Sequence, residues 1–154
     1  MSDTAAACEA CSRTLRGMIT RGLAEGVGGG VRTENLGLGV DVGGSGIKGA
    51  IVDLDSGEFH TERVKIATPQ PATPTAVADV VADIVRQLGW DGPVGVALPS
   101  VIQHHTARTA ANIDDSWIGT DVQELFASRL DQRSVTALND ADAAGLAEVA
   151  FGEA

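Results

Sequence analysis

The stretch Asp41-Val42-Gly43-Gly44-Ser45-Gly46-Ile47-Lys48 holds the densest set of groups able to act on a phosphate. Glycines let backbone amides approach a phosphate with no Cβ in the way. Ser45 adds a hydroxyl, Lys48 a point charge, and Asp41 a carboxylate suited to a hydrated Mg²⁺. The glycine spacing is neither that of a P-loop nor that of a dinucleotide-binding fingerprint. Both of those lead a strand into a helix, whereas β patterns flank this segment on either side. A tight hairpin turn requiring positive φ would use the same glycines, and that reading stands beside the phosphate cradle.

Asn139-Asp140 directly follows a short apolar run. A carboxylate there can act as general base toward a sugar or alcohol hydroxyl, with Asn139 bonding a neighbouring hydroxyl; Asp140 could equally cap a helix. The segment Ala110-Ala111-Asn112-Ile113-Asp114-Asp115-Ser116-Trp117 mixes polar groups with one large aromatic. It reads as a loop that either lines a small-molecule pocket or covers a packed Trp. His104-His105 reads as an exposed hairpin tip with no further ligands for zinc, and Cys8 and Cys11 form a C-x-x-C pair without partners, so no structural zinc is expected. Ser45 and Ser100 lack the Gly-x-Ser-x-Gly setting of a nucleophile elbow.

The elements that must position these groups begin at Leu36. Alternating Leu36, Leu38 and Val40, the glycine tip, and a β pattern over 47–54 make a hairpin; a turn at 55–58 and a third strand over 59–66 complete a meander. After an irregular stretch over 67–73, Pro74 suits the first turn of a helix. Val77, Val80, Val81, Ile84, Val85 and Leu88 stripe that helix, and Gly89 ends it. Val94–Leu98, bounded by Gly92-Pro93 and Pro99, reads as a buried strand. A helix begun near Asp121 carries Leu125, Phe126 and Leu130, a fifth strand covers 135–138, and an Ala/Leu-rich helix covers 141–151. The order βββαβαβα predicts an α/β fold, a mixed sheet with flanking helices, whose ligands gather where strands end in loops.

The chain has 154 residues, 44% hydrophobic and 3% aromatic, which suits one aliphatic globular domain. With 11 basic against 21 acidic residues the formal net charge is -10, so the surface repels nucleic acid and anionic lipid, and a polyanionic ligand needs a local site. No apolar run reaches the ~18 residues of a membrane span and no secretory signal opens the chain; the expected compartment is the cytoplasm. Residues 1–35, rich in glycine near their end, are expected to form a flexible extension without a DNA-binding unit.

Together, Leu38-Gly39-Val40-Asp41-Val42-Gly43-Gly44-Ser45-Gly46-Ile47-Lys48-Gly49, Leu98-Pro99-Ser100, Thr109-Ala110-Ala111-Asn112-Ile113-Asp114, Ser116-Trp117-Ile118-Gly119 and Leu138-Asn139-Asp140-Ala141-Asp142-Ala143-Ala144-Gly145 resemble the polyphosphate glucokinases. These are members of the repressor, open reading frame and kinase group of sugar kinases. The resemblance spans 36–154 and implies an actin-like ATPase, ribonuclease-H-like lobe. It implies phosphorylation of glucose at its 6-hydroxyl by polyphosphate or ATP with Mg²⁺. By the same resemblance Asp140 is the catalytic base; Asn139, Asp140, Asn112 and Ser100 are sugar-binding. Gly43, Gly44, Ser45, Gly46 and Lys48 are phosphate-binding, and Asp41 lies near the metal. Such kinases have a second lobe of comparable size, and this chain stops at Ala154. The expectation is therefore an N-terminal lobe, a fragment or truncated form whose homodimerisation is left open. The alternative is a non-catalytic sugar- or phosphate-binding module of the same fold.

Overall fold

The computed structural model describes residues 36–53, 59–132 and 135–140. The expected extension at 1–35, Cys8 and Cys11, the turn at 55–58 and the helix at 141–151 lie outside the described residues. β1 (Leu36–Val42) and β2 (Gly46–Asp53) form the antiparallel hairpin, and β3 (Val64–Ala67) pairs antiparallel with β2. β4 (Val94–Leu98) lies parallel to β1, and β7 (Val135–Asn139) parallel to β4. The sheet order is β3-β2-β1-β4-β7, so β1 is central. Its residues from Gly37 to Val42 are all buried.

The helix α1 (Pro74–Gln87) starts where the sequence predicts: the Thr73 side chain accepts from the Ala76 amide and Pro74 occupies the first turn. It ends at Gly89, whose φ of +61° is the left-handed conformation that a side chain disfavours. Val77, Val81, Ile84 and Val85 are buried against Leu38, Val40, Val96 and Leu98, with Val80 and Leu88 at the margin. The helix presses closest at Gly49, where a Cβ would lie 2.4 Å from Ile84 Cγ2. α2 (Val122–Arg129) is capped by Asp121, whose carboxylate accepts from Glu124 N at 3.0 Å, and it buries Val122 and Phe126.

Two elements differ from the sequence reading. The third strand is shorter than 59–66: Phe59 makes one isolated bridge to Val52, and regular pairing begins at Val64. Between them His60 N and Thr61 N both donate to the Ile51 carbonyl, while Thr61 Oγ1 accepts from Ile51 N, which interrupts the ladder. The second addition is a small hairpin, β5 (Ile102–Gln103) with β6 (Thr106–Ala107), between β4 and α2. Its tip is His104-His105, as expected; φ is 50° and 65° there, the positive pair of a tight two-residue turn.

Candidate active site

Because β1, β4 and β7 run parallel, their carboxyl ends share one edge of the sheet. Val42 leads into the glycine tip, Leu98 into Pro99-Ser100, and Asn139 into Asp140. Gly43 N donates to Gly46 O at 3.0 Å and closes the tip around Gly44 and Ser45. The left-handed glycines of the described residues are Gly89 and Gly119, so the positive φ expected at the tip is not found. Glycine serves there through space instead: a Cβ on Gly43 would lie 2.9 Å from Gly46 O, and one on Gly44 would lie 3.0 Å from Asn112 Cβ.

The tip's carbonyls are all occupied. Thr68 Oγ1 donates to Gly43 O at 2.6 Å, Gln70 Nε2 to Gly44 O at 3.2 Å and Thr68 N to Ser45 O at 3.2 Å. The amides of Gly44 and Ser45 and the Ser45 hydroxyl donate to no acceptor among the described residues. Capped carbonyls and uncommitted N–H and O–H groups give the tip the polarity of an anion cradle. Asp41, only 8% exposed, and Lys48 are cross-strand partners just below it, on one face of the sheet.

The loop after β4 carries the sugar-side candidates. Ser100, 1% exposed, donates its hydroxyl to Thr109 O at 2.6 Å, and its own carbonyl accepts Asn139 Nδ2 at 2.9 Å. Ser100 thus braces the loop and ties it to the end of β7. Ala111 N donates to Pro99 O at 3.1 Å, which delivers the next residue, Asn112, to the glycine tip. Asn112 has φ of 61° and is exposed, a conformation asparagine tolerates better than most residues. Asp140, the last described residue before 141, is exposed at the same edge.

Beneath this loop Trp117 is fully buried, donating Nε1 to Ala72 O at 2.8 Å and packing its ring 6.3 Å from that of Phe126. Of the two readings of 110–117, packing holds for the Trp, while Asn112 stays outward. Asp114 caps the short 3₁₀ turn Asp115–Trp117; the hydroxyl and then the amide of Ser116 hold its carboxyl below the usual carboxylate range.

The structure therefore joins Asn112 to the glycine tip, and Asn139 to Ser100. Sequence reading missed Thr68 and Gln70, which clamp the tip from 25 and 26 residues away. Their only local signal is two polar residues alternating with Pro69 and Pro71.

A model of the ROK family matches residues 37–154. The polyphosphate glucokinase of Mycobacterium tuberculosis is 55% identical over 123 residues, 80% of this chain and 46% of that protein. Among solved structures, the inorganic polyphosphate/ATP-glucomannokinase of Arthrobacter sp. strain KM superposes with a TM-score of 0.73 at 48% identity, covering 77% of this chain and 49% of that one. A ROK family glucokinase from Streptomyces griseus, solved with glucose and AMPPNP, superposes with a TM-score of 0.67 at 31% identity over 77% of this chain and 38% of its own. The chain spans about half the length, or less, of these relatives. The mixed sheet and its helices are the actin-like ATPase fold of these sugar kinases, and the chain belongs to the ROK family.

Proposed function

We propose that residues 36–154 are the first lobe of a glucokinase that moves a phosphoryl group from inorganic polyphosphate or ATP to the 6-hydroxyl of glucose, in the cytoplasm. One observation carries this reading: an anion cradle and a loop-borne asparagine touch each other at the sheet edge where Asn139-Asp140 emerges. Phosphoryl transfer asks mainly for positioning and charge stabilisation, and these residues divide that work. Asn112 and Asn139 orient the sugar hydroxyls, with Ser100 holding Asn139 in place. Asp140 takes the proton of the 6-hydroxyl as its oxygen attacks the terminal phosphorus. The bond from that phosphorus to the bridging oxygen breaks, and the shortened donor leaves with the electron pair. The amides of Gly44 and Ser45, the Ser45 hydroxyl and Lys48 receive the donor's charge.

Asp41 fits a divalent cation of the magnesium type, which binds through one or two carboxylates while keeping waters and substrate phosphate oxygens. Asp41, cross-strand from Lys48 just below the tip, would supply that single carboxylate. When bound, the ion neutralises charge on the donor phosphates.

The test is glucose 6-phosphate formation by the purified chain with polyphosphate and ATP supplied separately, beside Asp140→Asn. Product that Asp140→Asn reduces by at least ~10²-fold supports the reading. Product retained at full rate in that variant removes Asp140 as the base. Saturable glucose binding without product from either donor assigns a binding module instead.

A further inference from the structure

β3 contributes a residue to the cradle that neither the glycine motif nor the sugar loop contains. Lys48 on β2 is the register partner of Asp41 on β1 and of Lys65 on β3, so the three side chains form one row on one face of three adjacent strands. Lys65 does not point straight out from that row. It leans along the sheet toward the tip: a Cβ on Gly46 would lie 2.9 Å from Lys65 Cε and 3.8 Å from its Nζ. The missing side chain at Gly46 is what lets the lysine lie there.

Two like charges directly opposite each other on neighbouring strands are unfavourable unless something between them is negative. Neither ammonium has a hydrogen bond or ion pair among the described residues. This occurs in a chain with 21 acidic residues against 11 basic ones, where acidic partners are plentiful. Arg86 and Arg129, on the helices, are paired with Asp83 and Asp79. Arg63 lies over the Phe59 ring, and Arg108 shares the lysines' lack of an ion pair, but of these only the lysines stand in register on neighbouring strands. Lys65 reaches Gly46, the residue that directly follows the uncommitted amides of Gly44 and Ser45.

We propose that Lys65 is a second cationic contact for the phosphate chain of the donor, extending the cradle from Lys48 across β3. The inference rests on the phosphoryl-transfer reading above and adds to it the direction in which the chain runs, from the tip toward the β3 edge of the sheet. Lys65 acts by charge on the bound polyanion, so it is a donor-binding residue and takes no proton.

The test measures binding of sodium polyphosphate to the whole chain by titration calorimetry at several salt concentrations. The proteins are the wild type, Lys65→Gln, Lys65→Arg and, as a distant control, Arg86→Gln. Expected are a loss of about five-fold in affinity for Lys65→Gln and a fall of about 1 in the slope of log Kd against log salt. Lys65→Arg should restore both, and Arg86→Gln should leave both unchanged. Lys65 is exposed, so thermal unfolding of Lys65→Gln should match wild type and separate charge from folding. Equal affinity and slope in wild type and Lys65→Gln overturn the proposal, as does a wild type that does not bind polyphosphate. Glucose 6-phosphate formation is scored separately. A wild type that binds polyphosphate through Lys65 but forms no product counts against the reaction and for Lys65.

Discussion

Replacing Gly44 by alanine tests whether the glycine tip and the loop bearing Asn112 act as one unit. The added Cβ would lie 3.0 Å from Asn112 Cβ and 3.2 Å from Asn112 O, about 0.4 Å inside ordinary contact at the nearer atom. The glycine tip cannot retreat easily, because Thr68 and Gln70 hold its carbonyls from the other side. Asn112 must move instead, on an exposed loop fastened at Ala111 by one bond to Pro99 O. Overpacking in a closed core costs about 1–3 kcal/mol; a yielding loop puts the cost at or below about 1 kcal/mol, a few degrees in Tm. The functional cost should be larger, since displacement of about 1 Å in a positioned site can cost about 10²-fold, and a few tenths should cost several-fold. Titration calorimetry with glucose should show weaker binding in Gly44→Ala, with Tm lowered by no more than a few degrees. Asn112→Gly removes the nearer of the two close atoms, leaving the 3.2 Å approach to the backbone oxygen, and suits φ of 61°, so the double variant should regain most of the lost Tm, and the two changes should be non-additive. Wild-type glucose affinity in Gly44→Ala, or simple additivity, would refute the coupling.

Two further outcomes follow from the loop's foundations. Trp117→Phe removes the indole donor from Ala72 O, which keeps Asp114 N at 3.3 Å, and leaves a void where the fully buried indole stood, so urea unfolding should show a loss of about 2 kcal/mol, most of it from the cavity. Asp114 has a lowered pKa in the folded chain, so its cap stabilises above the unfolded value of 3.8, and that contribution is lost as pH falls through the still lower folded value. Unfolding midpoints of wild type and Asp114→Asn should therefore differ above 3.8 and converge below it; a constant gap at all pH values would refute the assignment.

How much of this was legible in the sequence depends on how local each cause is. α1 was readable at both ends because Pro74 and Gly89 act within a few residues, and β4 because prolines bracket five apolar residues. The β5–β6 hairpin has two-residue strands, too short to show alternation, and only His104-His105 betrayed it. The start of β3 slipped because Thr61 competes for the backbone of Ile51, a choice invisible to periodicity. At the site, the residue types at 41–48 and 139–140 suggested chemistry, but capping and turn formation explained them as well; the family pattern separated the two. What packs on what remained hidden. Thr68, Gln70, Asn112 and Lys65 all meet the glycine tip through tertiary contacts, and of the causes offered for the tip glycines the positive φ is not found, while crowding by these neighbours was not foreseen.

The strand order also sets a sequence of assembly. The β1–β2 hairpin closes about five residues from Val42 to Ile47, whereas pairing β1 with β4 spans roughly 55 residues and β4 with β7 about 40. Loop-closure entropy makes each parallel pairing about 2 kcal/mol costlier to initiate than the hairpin. The glycine tip can thus form early from neighbouring residues, while Asn139 reaches Ser100 only after β7 docks on β4. A folding chain therefore closes the glycine tip first and makes the Asn139–Ser100 contact last, tying the loop after β4 to β7 only once the parallel sheet is assembled.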